Sequence, residues 1–296
     1  MTSYRRTTLF FVAASLGLAA GLVPLSPASA ATVSCGDVLT VDTVLTADLA
    51  CGSGSDALVI GADDLTLDLA GHTISGPGAY LTPWAGVRVA GHSGVTIEKG
   101  TITGFQAGVV LDESTDSLVT KLTVHGNDQG INLAGGGGHV VEKNDVYGNG
   151  RDAIRLGLSS GNQVSKNTVT DNVFGIGVAD LAANNVVDKN TLRGNGAFAI
   201  ALFSGATHNR VEQNDVAGTT GHGIQVSSDS SGSSLEKNAV STSGLDGIHV
   251  DAPTTTITKN TSVRNTGLGI FAPGAVDGGG NKASGNAAQC VGVVCK

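Results

Sequence analysis

Apolar and polar residues alternate over short stretches along most of the chain, and Gly, Asn, Asp or Ser separates each stretch from the next. Alternation with a period of two is typical of β-strands that are buried on one side. No segment places apolar residues at positions i, i+3, i+4 and i+7 for long enough to form an amphipathic helix. The pattern therefore predicts an all-β fold of many short strands.

The alternation repeats every 22 to 24 residues, and asparagine marks the repeat most clearly. The marker residues are Asn144, Asn167, Asn190, Asn214, Asn238 and Asn260. Two further columns, mostly Asn, Ser and Thr, lie five residues before and five residues after the markers. About ten residues after each marker comes an apolar-x-apolar triplet, at 154–156, 176–178, 200–202, 224–226, 248–250 and 270–272. A short repeat built only of strands predicts a solenoid.

Two classes of solenoid have repeats of about this length. A leucine-rich repeat needs a leucine-dense consensus and a helical half-repeat, and the sequence has neither. A parallel β-helix remains, in which each coil stacks on the previous one about 4.8 Å away. Asparagine suits an inward-facing corner of such a coil because its amide both donates and accepts hydrogen bonds. We therefore predict about ten coils joined by asparagine columns that are structural rather than functional.

A family resemblance agrees with this architecture. The run LDLAGHTISG at 67–76, followed by the repeated N-x-V-x-x-N and G-I-x-V patterns, resembles the right-handed parallel β-helix proteins of the pectin-lyase-like superfamily. The resemblance covers nearly all of the chain after residue 30 and implies a single-stranded right-handed parallel β-helix. That superfamily includes lyases, polygalacturonases, epimerases, phage tailspikes and periplasmic accessory proteins, so the activity must be argued from a site.

The first 30 residues have the parts of a secretory signal peptide. Arg5 and Arg6 precede an apolar stretch at 9–23, and an Ala-x-Ala cleavage site ends at Ala30. We expect the exported protein to begin near Ala31 and to form one β-helix domain at 31–296. No later stretch reaches the roughly 18 apolar residues of a membrane span, so the predicted product is secreted or periplasmic.

Four cysteines lie near the two ends of the predicted rod, at Cys35, Cys51, Cys290 and Cys295. Export favours disulfides, and four cysteines allow three connectivities. Because the length of the rod separates its ends, we expect Cys35 to pair with Cys51 and Cys290 with Cys295. Such bonds fasten the end coils, whose open sheet edges otherwise invite association. A metal site is the alternative, but no Cys-x-x-Cys pair supports it.

Charge and composition limit the partners. The formal net charge is −8, and removal of the signal peptide, which has two arginines and no acidic residue, changes it to −10. An acidic chain with three tyrosines and one tryptophan is a poor match for nucleic acid or an anionic membrane. One outer stripe of lysines has Asp or Glu interleaved with it, which we interpret as a solvated face. The prediction is a monomer that binds neither nucleic acid nor membrane.

The outward face of the triplets is irregular where the rest of the repeat is regular. Gly or Ala precedes each triplet, which leaves a shallow track along the rod where an extended polymer can lie. The middle residues of the triplets vary, from Arg155 through Gly177 and Ala201 to Gln225 and His249. This irregularity indicates either neutral drift or a binding site. If it is a site, an extracellular polysaccharide is the expected partner.

One group of polar residues stands out on this face: His222, Gln225, Asp246, His249 and Asp251. Between coils about 4.8 Å apart, His222 can reach Asp246 and Gln225 can reach His249. A histidine held by a carboxylate can act as a general base near neutral pH. The catalytic candidates are therefore His249, His222 and Asp246, and Gln225 and Asp251 are candidate substrate-binding residues.

A structural explanation competes with the catalytic one. Phe174 and Phe198 share the column of His222 and Asp246. If these rings point inward, as we expect, the polar pair is a buried corner hydrogen bond.

Two more residues are candidates for substrate binding. Arg155 lies four coils from His249 and can hold at most a neighbouring subsite. Trp84 belongs to a short insertion at 75–85, where it either stacks on a sugar or plugs the end of the core.

The sequence lacks the motifs and the carboxylate pair of a glycoside hydrolase. The segment 221–223 resembles the Gly-His-Gly motif of polygalacturonases, but the rest of that family's pattern is absent. An inverting hydrolase needs two carboxyl groups roughly 6.5–9.5 Å apart. Asp246 and Asp251 lie five residues apart on one strand, which is roughly 16 Å when extended. Hydrolysis is therefore disfavoured.

Elimination or epimerisation of an acidic glycan needs one base and a cation that neutralises the sugar carboxylate. The Asp-Pro-His-Asp signature of alginate epimerases is absent, and so is an Asp cluster with spacing suited to Ca²⁺. We predict no cofactor and no metal. The predicted function is a secreted protein that binds or acts on extracellular polysaccharide, as a lyase or epimerase. The alternative is a non-catalytic surface or matrix-binding scaffold, or a periplasmic accessory protein similar to those of metal-enzyme maturation.

Overall fold

A computed structural model describes residues 33–52, 54–79 and 83–296. The signal peptide predicted at 1–30 lies outside these residues. The described chain contains no helix and forms 32 short strands. In chain order they are β1 Asp37–Leu39, β2 Thr43–Val44, β3 Leu49–Ala50, β4 Leu58–Ile60, β5 Thr66–Asp68, β6 Thr73–Ser75, β7 Ala85–Ala90, β8 Thr96–Thr103, β9 Ala107–Asp112, β10 Leu118–His125, β11 Gln129–Ala134, β12 Val140–Glu142, β13 Asp145–Tyr147, β14 Asp152–Gly157, β15 Gln163–Ser165, β16 Thr168–Thr170, β17 Phe174–Ala179, β18 Val186–Asp188, β19 Thr191–Arg193, β20 Phe198–Leu202, β21 Arg210–Glu212, β22 Asp215–Ala217, β23 His222–Val226, β24 Ser234–Glu236, β25 Ala239–Ser241, β26 Ile248–Val250, β27 Thr256–Thr258, β28 Thr261–Val263, β29 Leu268–Phe271, β30 Val276–Gly279, β31 Lys282–Ser284 and β32 Ala288–Val291.

The predicted triplets form one long parallel sheet, which we call the triplet sheet. Its twelve strands run β1-β4-β7-β9-β11-β14-β17-β20-β23-β26-β29-β32, one from each coil. Ile154, Ile176, Ile200 and Ile224 pair in register on successive strands. The other strands pair in the same parallel way from coil to coil and close each coil around the core. The predicted all-β parallel β-helix of about ten coils is confirmed, with about eleven turns in the structure.

The core is a stack of aliphatic side chains. The inward residues of the triplets and the apolar residue two positions after each marker asparagine are buried, as Val146, Val169, Leu192 and Val216 show. Since each coil alone leaves its apolar side chains open at both faces, burial depends on the neighbouring coils.

Asparagine ladders line the corners of the core. Asn144 Nδ2 donates to Asn167 Oδ1 at 3.0 Å and to the Val119 carbonyl at 3.0 Å, and the backbone N–H of Asn144 donates to the same Asn167 oxygen. All three predicted columns bond in this way, which confirms their structural role. The sequence pattern missed two members at the upstream ends of the columns, Asn127 and His139.

The residue before each marker position has left-handed backbone geometry. Its φ lies between 54° and 58° at Lys99, Lys121, Lys143, Lys166, Lys189, Gln213, Lys237 and Lys259. One such residue turns the chain sharply between two short strands of a coil and points its side chain into solvent. The lysine stripe is thus a by-product of a turn that every coil repeats.

The acids beside the stripe neutralise many of its lysines. Lys143 contacts Glu142 at 2.6 Å, and Lys189 and Lys237 each contact the acid directly before them at 2.6 Å. The lysine of each pair is exposed, although Asp188 is buried, and ion pairs with an exposed partner contribute little to stability. They support the interpretation of the stripe as a solvated face.

Disulfides fasten both ends of the rod, with the predicted connectivity. Cys35 pairs with Cys51 (Cα–Cα 5.6 Å), and Cys290 pairs with Cys295 (Cα–Cα 6.1 Å). Within the described residues, no helix is long and apolar enough to cross a bilayer.

Candidate functional site

The outer face of the triplet sheet carries the predicted polar group. Strands β23 and β26 pair in parallel, with Gln225 opposite His249. Ile224 and Val226 on either side of Gln225 are buried in the core. Alternation therefore places Gln225 and His249 on the outside, where both are half-buried.

His222, Asp246, His249 and Asp251 converge into one cluster on this face. His249 Nδ1 lies 2.7 Å from Asp246 Oδ2, and His249 Nε2 lies 3.3 Å from Asp251 Oδ1. His222 Nδ1 lies 3.8 Å from the same Asp246 oxygen, and the two imidazole centroids are 4.4 Å apart. The other Asp246 oxygen accepts the Leu268 N–H at 2.7 Å. Since two adjacent strands and a backbone donor hold the cluster, its geometry is fixed by the coil register.

His222 is the least satisfied member of the cluster. Its Nδ1 is buried and has no hydrogen-bond partner. Burial lowers the pKa of His222, the neighbouring His249 lowers it further, and the Asp246 carboxylate opposes both effects. His222 is therefore neutral at neutral pH and presents a lone pair or an N–H toward Asp246.

Aromatic rings border the cluster on the outside of the sheet. Phe271 stacks on His249 with centroids 4.8 Å apart, and Phe174 stacks on Phe198 at 5.1 Å. The expectation that Phe174 and Phe198 point inward is wrong, because both are half-buried and lie outside the hydrophobic core. The buried-corner explanation for His222 and Asp246 loses the support of these rings. Asp246 itself is buried, with 8% of the residue exposed, whereas His222 is half-buried and its side chain is 19% exposed.

The separation of the two cluster carboxylates also differs from expectation. Both Asp246 and Asp251 turn toward the ring of His249 and contact opposite nitrogens of it. Their nearest oxygens are therefore at most about 8 Å apart, within the range of an inverting hydrolase, and the expected 16 Å is wrong. The imidazole itself fills the space between them. A sugar and a water molecule cannot occupy that space together, so hydrolysis remains disfavoured for a different reason.

Arg155 lies away from this cluster, as its position in the repeat predicts. It is on β14, and its Nη2 contacts Asp180 Oδ2 at 2.5 Å, while its guanidinium lies 5.7 Å from the centroid of Phe203. Asp152, which precedes Arg155 by three residues as Asp246 precedes His249, is buried, and this burial raises its pKa. The coil position that holds an Asp–His pair in one place thus holds an Asp–Arg pair in another.

Trp84 lies at the amino-terminal end of the same face. With Arg88, Gln106 and Asn132 it lines a shallow groove, and a second groove lined by Asn132 and Arg155 continues from it. Trp84 is half-buried and is not among the core residues. These contacts favour the sugar-stacking interpretation over the core plug. The distance from Trp84 to the histidine cluster spans several coils, so the two do not share a subsite.

Several neighbours of the site escaped the sequence analysis. Phe271 and Asp180 contact His249 and Arg155 from adjacent coils, and Phe203 contacts Arg155 from two coils away. The column alignment contained the signal for Phe271, since it occupies the outward triplet position next to His249. Phe203 and Asp180 lie in turns after the triplets, where the period gives no reliable alignment.

Comparison with known proteins identifies the family. The model of the right handed beta helix region matches residues 58–216, and that of the periplasmic copper-binding protein NosD matches residues 151–287. A search of curated proteins finds no match.

Solved structures with the same fold are distant in sequence. The Dettilon tailspike protein is 18% identical with a TM-score of 0.62, and the alignment covers 84% of this chain but only 62% of the tailspike, less than two thirds. The mannuronan C-5 epimerase A-module of Azotobacter vinelandii is 13% identical, with a TM-score of 0.53 and coverage of 87% and 89%. Endopolygalacturonase I of Stereum purpureum is 12% identical, with a TM-score of 0.51 and coverage of 87% and 93%.

These likenesses establish architecture and leave the chemistry to the site. The first family model spans more than half of the chain, and the matched residues 58–216 form strands β4 to β22 of the structure. The chain belongs to the right-handed beta helix family.

Proposed function

We propose that the protein is exported and binds an extracellular polysaccharide along the outer face of the triplet sheet, where His249 acts as the base in elimination or epimerisation of an acidic sugar. One observation carries the proposal: the 2.7 Å contact between His249 and Asp246 on a partly exposed face bordered by aromatic rings. The two disulfides support an oxidising location, such as the periplasm or the extracellular space.

The track next to His249 suits an extended sugar chain. Gly177 and Ala201 have almost no side chain and are buried, so a sugar at this place would rest on the neighbouring half-buried rings of Phe174 and Phe198. Phe203 lies nearby, 3.6 Å from where a Cβ on Gly177 would lie. Exposed aromatic rings pack against the apolar faces of sugar rings, and their rigidity keeps the entropic cost of binding low.

The pairing with Asp246 prepares His249 for proton abstraction. When the Nδ1–H donates to the Asp246 carboxylate, the lone pair of the neutral ring is at Nε2. Asp251 faces Nε2 but is 44% exposed at the end of its strand, so an incoming sugar can displace it. Nε2 then takes the proton from the carbon next to the sugar carboxylate. The electron pair either expels the neighbouring glycosidic oxygen and forms a C=C bond, or takes up a proton on the opposite face.

The charge of the face makes a cation necessary for this chemistry. Asp251 faces His249, whereas Arg155 lies four coils away, about 19 Å along the rod, and is paired with Asp180. A polyuronate bound here thus needs a cation from solution to neutralise its carboxylate. The activity assay should therefore be run both with Ca²⁺ and without added metal.

The test is an assay of the exported form, starting at Ala31, on alginate and polygalacturonate. Elimination is followed by the absorbance of the unsaturated product, and epimerisation by deuterium uptake from solvent at the carbon next to the carboxylate. We expect His249→Gln to lower the rate about 10²- to 10⁴-fold, the usual contribution of a general base. His208→Gln is the matched control because His208 is exposed outside the cluster.

The outcomes separate binding from catalysis. If the polymer retards the protein in affinity gels but is not turned over, the protein is a binding scaffold rather than an enzyme. An equal loss of rate in the His208 and His249 variants would show that His249 is not the base. Absence of both retention and turnover on all polymers would overturn the glycan proposal.

A non-catalytic periplasmic accessory role is the second candidate. The observation in its favour is that the NosD model matches the part of the chain that contains the whole histidine cluster. On this alternative, the cluster binds a metal ion or a partner protein and the assay above shows no turnover.

A further inference from the structure

Three side-chain atoms of the histidine cluster are arranged as metal ligands. His222, Asp246 and His249 each offer one ligand atom, and these three atoms lie within 4.8 Å of one another. Ligand atoms around a tetrahedral ion with bonds of about 2.0–2.1 Å are about 3.3 Å apart. The Asp246–His249 contact is 2.7 Å and the His222–Asp246 contact 3.8 Å. These two distances each need to change by only about half an ångström to reach the separation of bound ligands. The distance between the two histidine ligand atoms is at most 4.8 Å and has to shorten by up to about 1.5 Å.

His222 has a buried nitrogen that no protein group satisfies. Its Nδ1 lacks a hydrogen-bond partner, and 3.8 Å from the nearest Asp246 oxygen is too long for a hydrogen bond. A buried, unpaired polar atom destabilises a fold unless something else binds it. An ion between His222 and Asp246 would provide the missing contact.

The groups around the three ligands match the usual support of a metal site. Histidine ligands commonly donate their second ring nitrogen to a carboxylate, which fixes the ring. His249 Nε2 faces Asp251 Oδ1 at 3.3 Å in this manner. The second oxygen of Asp246 is held by the Leu268 N–H at 2.7 Å. Asp251 thus orients His249, and the Leu268 N–H orients Asp246.

We propose that His222, Asp246 and His249 bind a divalent transition-metal ion of the Zn²⁺ class. Imidazole nitrogens with one carboxylate suit Zn²⁺, Cu²⁺ or Ni²⁺, whereas Ca²⁺ and Mg²⁺ take oxygen ligands. Three protein ligands leave a coordination position for water or for an external ligand on the exposed side of the sheet. The repeat pattern predicted the same residues as a base and its partners, because the period aligns their positions but does not show where their side-chain ligand atoms lie.

Metal binding and proton abstraction exclude each other at this site. Metal binding and proton abstraction both use His249 Nδ1 and Asp246 Oδ2. When a metal ion is bound, Asp246 no longer holds His249 in the form that acts as a base. We therefore expect Zn²⁺ to inhibit any turnover by His249. The metal proposal goes beyond the proposed catalysis and does not depend on it, and it names the ligands and the class of ion that the accessory alternative leaves open.

Calorimetric titration of the metal-free protein, without an affinity tag, tests the site directly. Zn²⁺ alone is the ligand, and we expect one equivalent to bind the wild type. His222→Ala, His249→Ala and Asp246→Asn should each weaken binding by at least about tenfold, and Asp251→Asn less than these. His208→Ala is the control and should bind as the wild type does, since His208 lies outside the cluster. Ca²⁺ and Mg²⁺ should show no stoichiometric binding.

A second readout guards against variants that fail to fold. Bound Zn²⁺ raises the melting temperature of a protein that binds it only when folded, so the wild type and the His208 variant should gain stability on addition of Zn²⁺ and the ligand variants should not. Absence of stoichiometric Zn²⁺ binding, or equal binding by the His222 variant and the wild type, would overturn the proposal. Because these assays contain no polysaccharide, their failure would leave the turnover experiment unaffected.

Discussion

At the scale of single residues, His139 shows how a titratable group can substitute for an amide in a ladder. It occupies the upstream end of the column that continues through Asn162 and Asn185. Its Nδ1 accepts the Ser117 N–H at 3.2 Å, as an asparagine oxygen does elsewhere. The ring is fully buried, and its Nε2 has no partner among the described residues. The neutral ring fits this position and the charged ring does not.

This burial predicts a pH dependence of stability. Burial lowers the pKa of His139 from 6.5 to about 4, so between these pH values the unfolded chain takes up a proton that the folded chain excludes. The free energy of unfolding should therefore be undiminished above pH 6.5 and fall as the pH decreases toward 4, by about 2–3 kcal/mol from this residue. Urea denaturation of the wild type and of His139→Asn at pH 7 and pH 4.5 measures the difference.

Asparagine keeps the ladder contact without a titratable ring, so the loss at low pH should be smaller in His139→Asn. His208→Asn is the control. Because His208 is exposed, its replacement should leave the pH dependence of the free energy of unfolding as in the wild type. Equal pH dependence in the wild type and His139→Asn would refute this account of His139.

At the scale of elements, the turns before the marker asparagines hold lysine where glycine is the residue expected for left-handed geometry. Lys166 has a φ of 58°. A β-branched side chain at this geometry is strained more than an unbranched one, by about 1–2 kcal/mol. We expect Lys166→Val to lower the free energy of unfolding by about that amount, and Lys166→Gly to leave it unchanged or raise it slightly.

Chemical denaturation of the Lys166 variants decides this point. Lys166→Gln is the matched control, because Gln213 occupies the same turn position in another coil with a φ of 57°. Equal stability of the valine and glutamine variants would mean that the turn relaxes at no cost.

The ladder asparagines make a second prediction for the coil element. Asn190 accepts from the backbone N–H and the side chain of Asn167, and donates to Asn214 and to the Val164 carbonyl. Asn190→Ala leaves these buried groups unpaired, each at about 1–3 kcal/mol. We expect a loss of at least about 3 kcal/mol in the free energy of unfolding.

Thr168→Ala is the control for Asn190→Ala. Thr168 is exposed on the neighbouring coil, and its truncation should change stability by less than about 0.5 kcal/mol. If thermal or urea denaturation finds similar small losses in both variants, water or a shifted neighbour replaces the ladder bonds.

At the scale of the whole molecule, stability is a sum over coils, and the ends are the weakest part. Each coil contacts only its neighbours, so the first and last coils lack one stacking partner. The bond between Cys35 and Cys51 closes a loop of 16 residues at the first coil, which corresponds to about 3 kcal/mol in the chain-entropy account.

The double variant Cys35→Ser and Cys51→Ser should therefore unfold locally at the amino-terminal end. Hydrogen exchange should accelerate in β1 and β4 and stay unchanged in β17 and β20, and sedimentation should detect association through the freed sheet edge. Uniformly faster exchange along the rod would show instead that the disulfide supports the whole solenoid.

The sequence predicted the fold well because the fold is periodic. The period aligned Ile154 with Ile176 and Asn144 with Asn167 without any three-dimensional information, and both pairings are confirmed. Side-chain direction was harder to predict. Phe174 and Phe198 share the column of His222 and Asp246 and were expected to point inward, yet both are half-buried and lie outside the hydrophobic core.

The site was predicted as a set of residues but not as a geometry. The repeat placed His222, Asp246 and His249 on adjacent coils, which the structure confirms. The repeat did not show that the Asp251 side chain turns back toward the His249 ring. The distance expected between Asp246 and Asp251 was based on an extended strand and ignored the reach of the side chains. Contacts made by turn residues such as Phe203 fall outside the period altogether.

The asparagine ladders have a consequence for how the chain finds its own alignment. Each amide recognises only an identical amide one coil away, so a coil carries little information about which coil is its proper neighbour. A folding chain can stack a coil one repeat too early and still make every ladder bond, which creates a kinetic trap. Positions where the ladders change residue, such as Thr219, Ser233 and Ser243, break this degeneracy and distinguish one coil from the next. The same interchangeability makes duplication or deletion of a whole repeat the least disruptive way for such a rod to change its length.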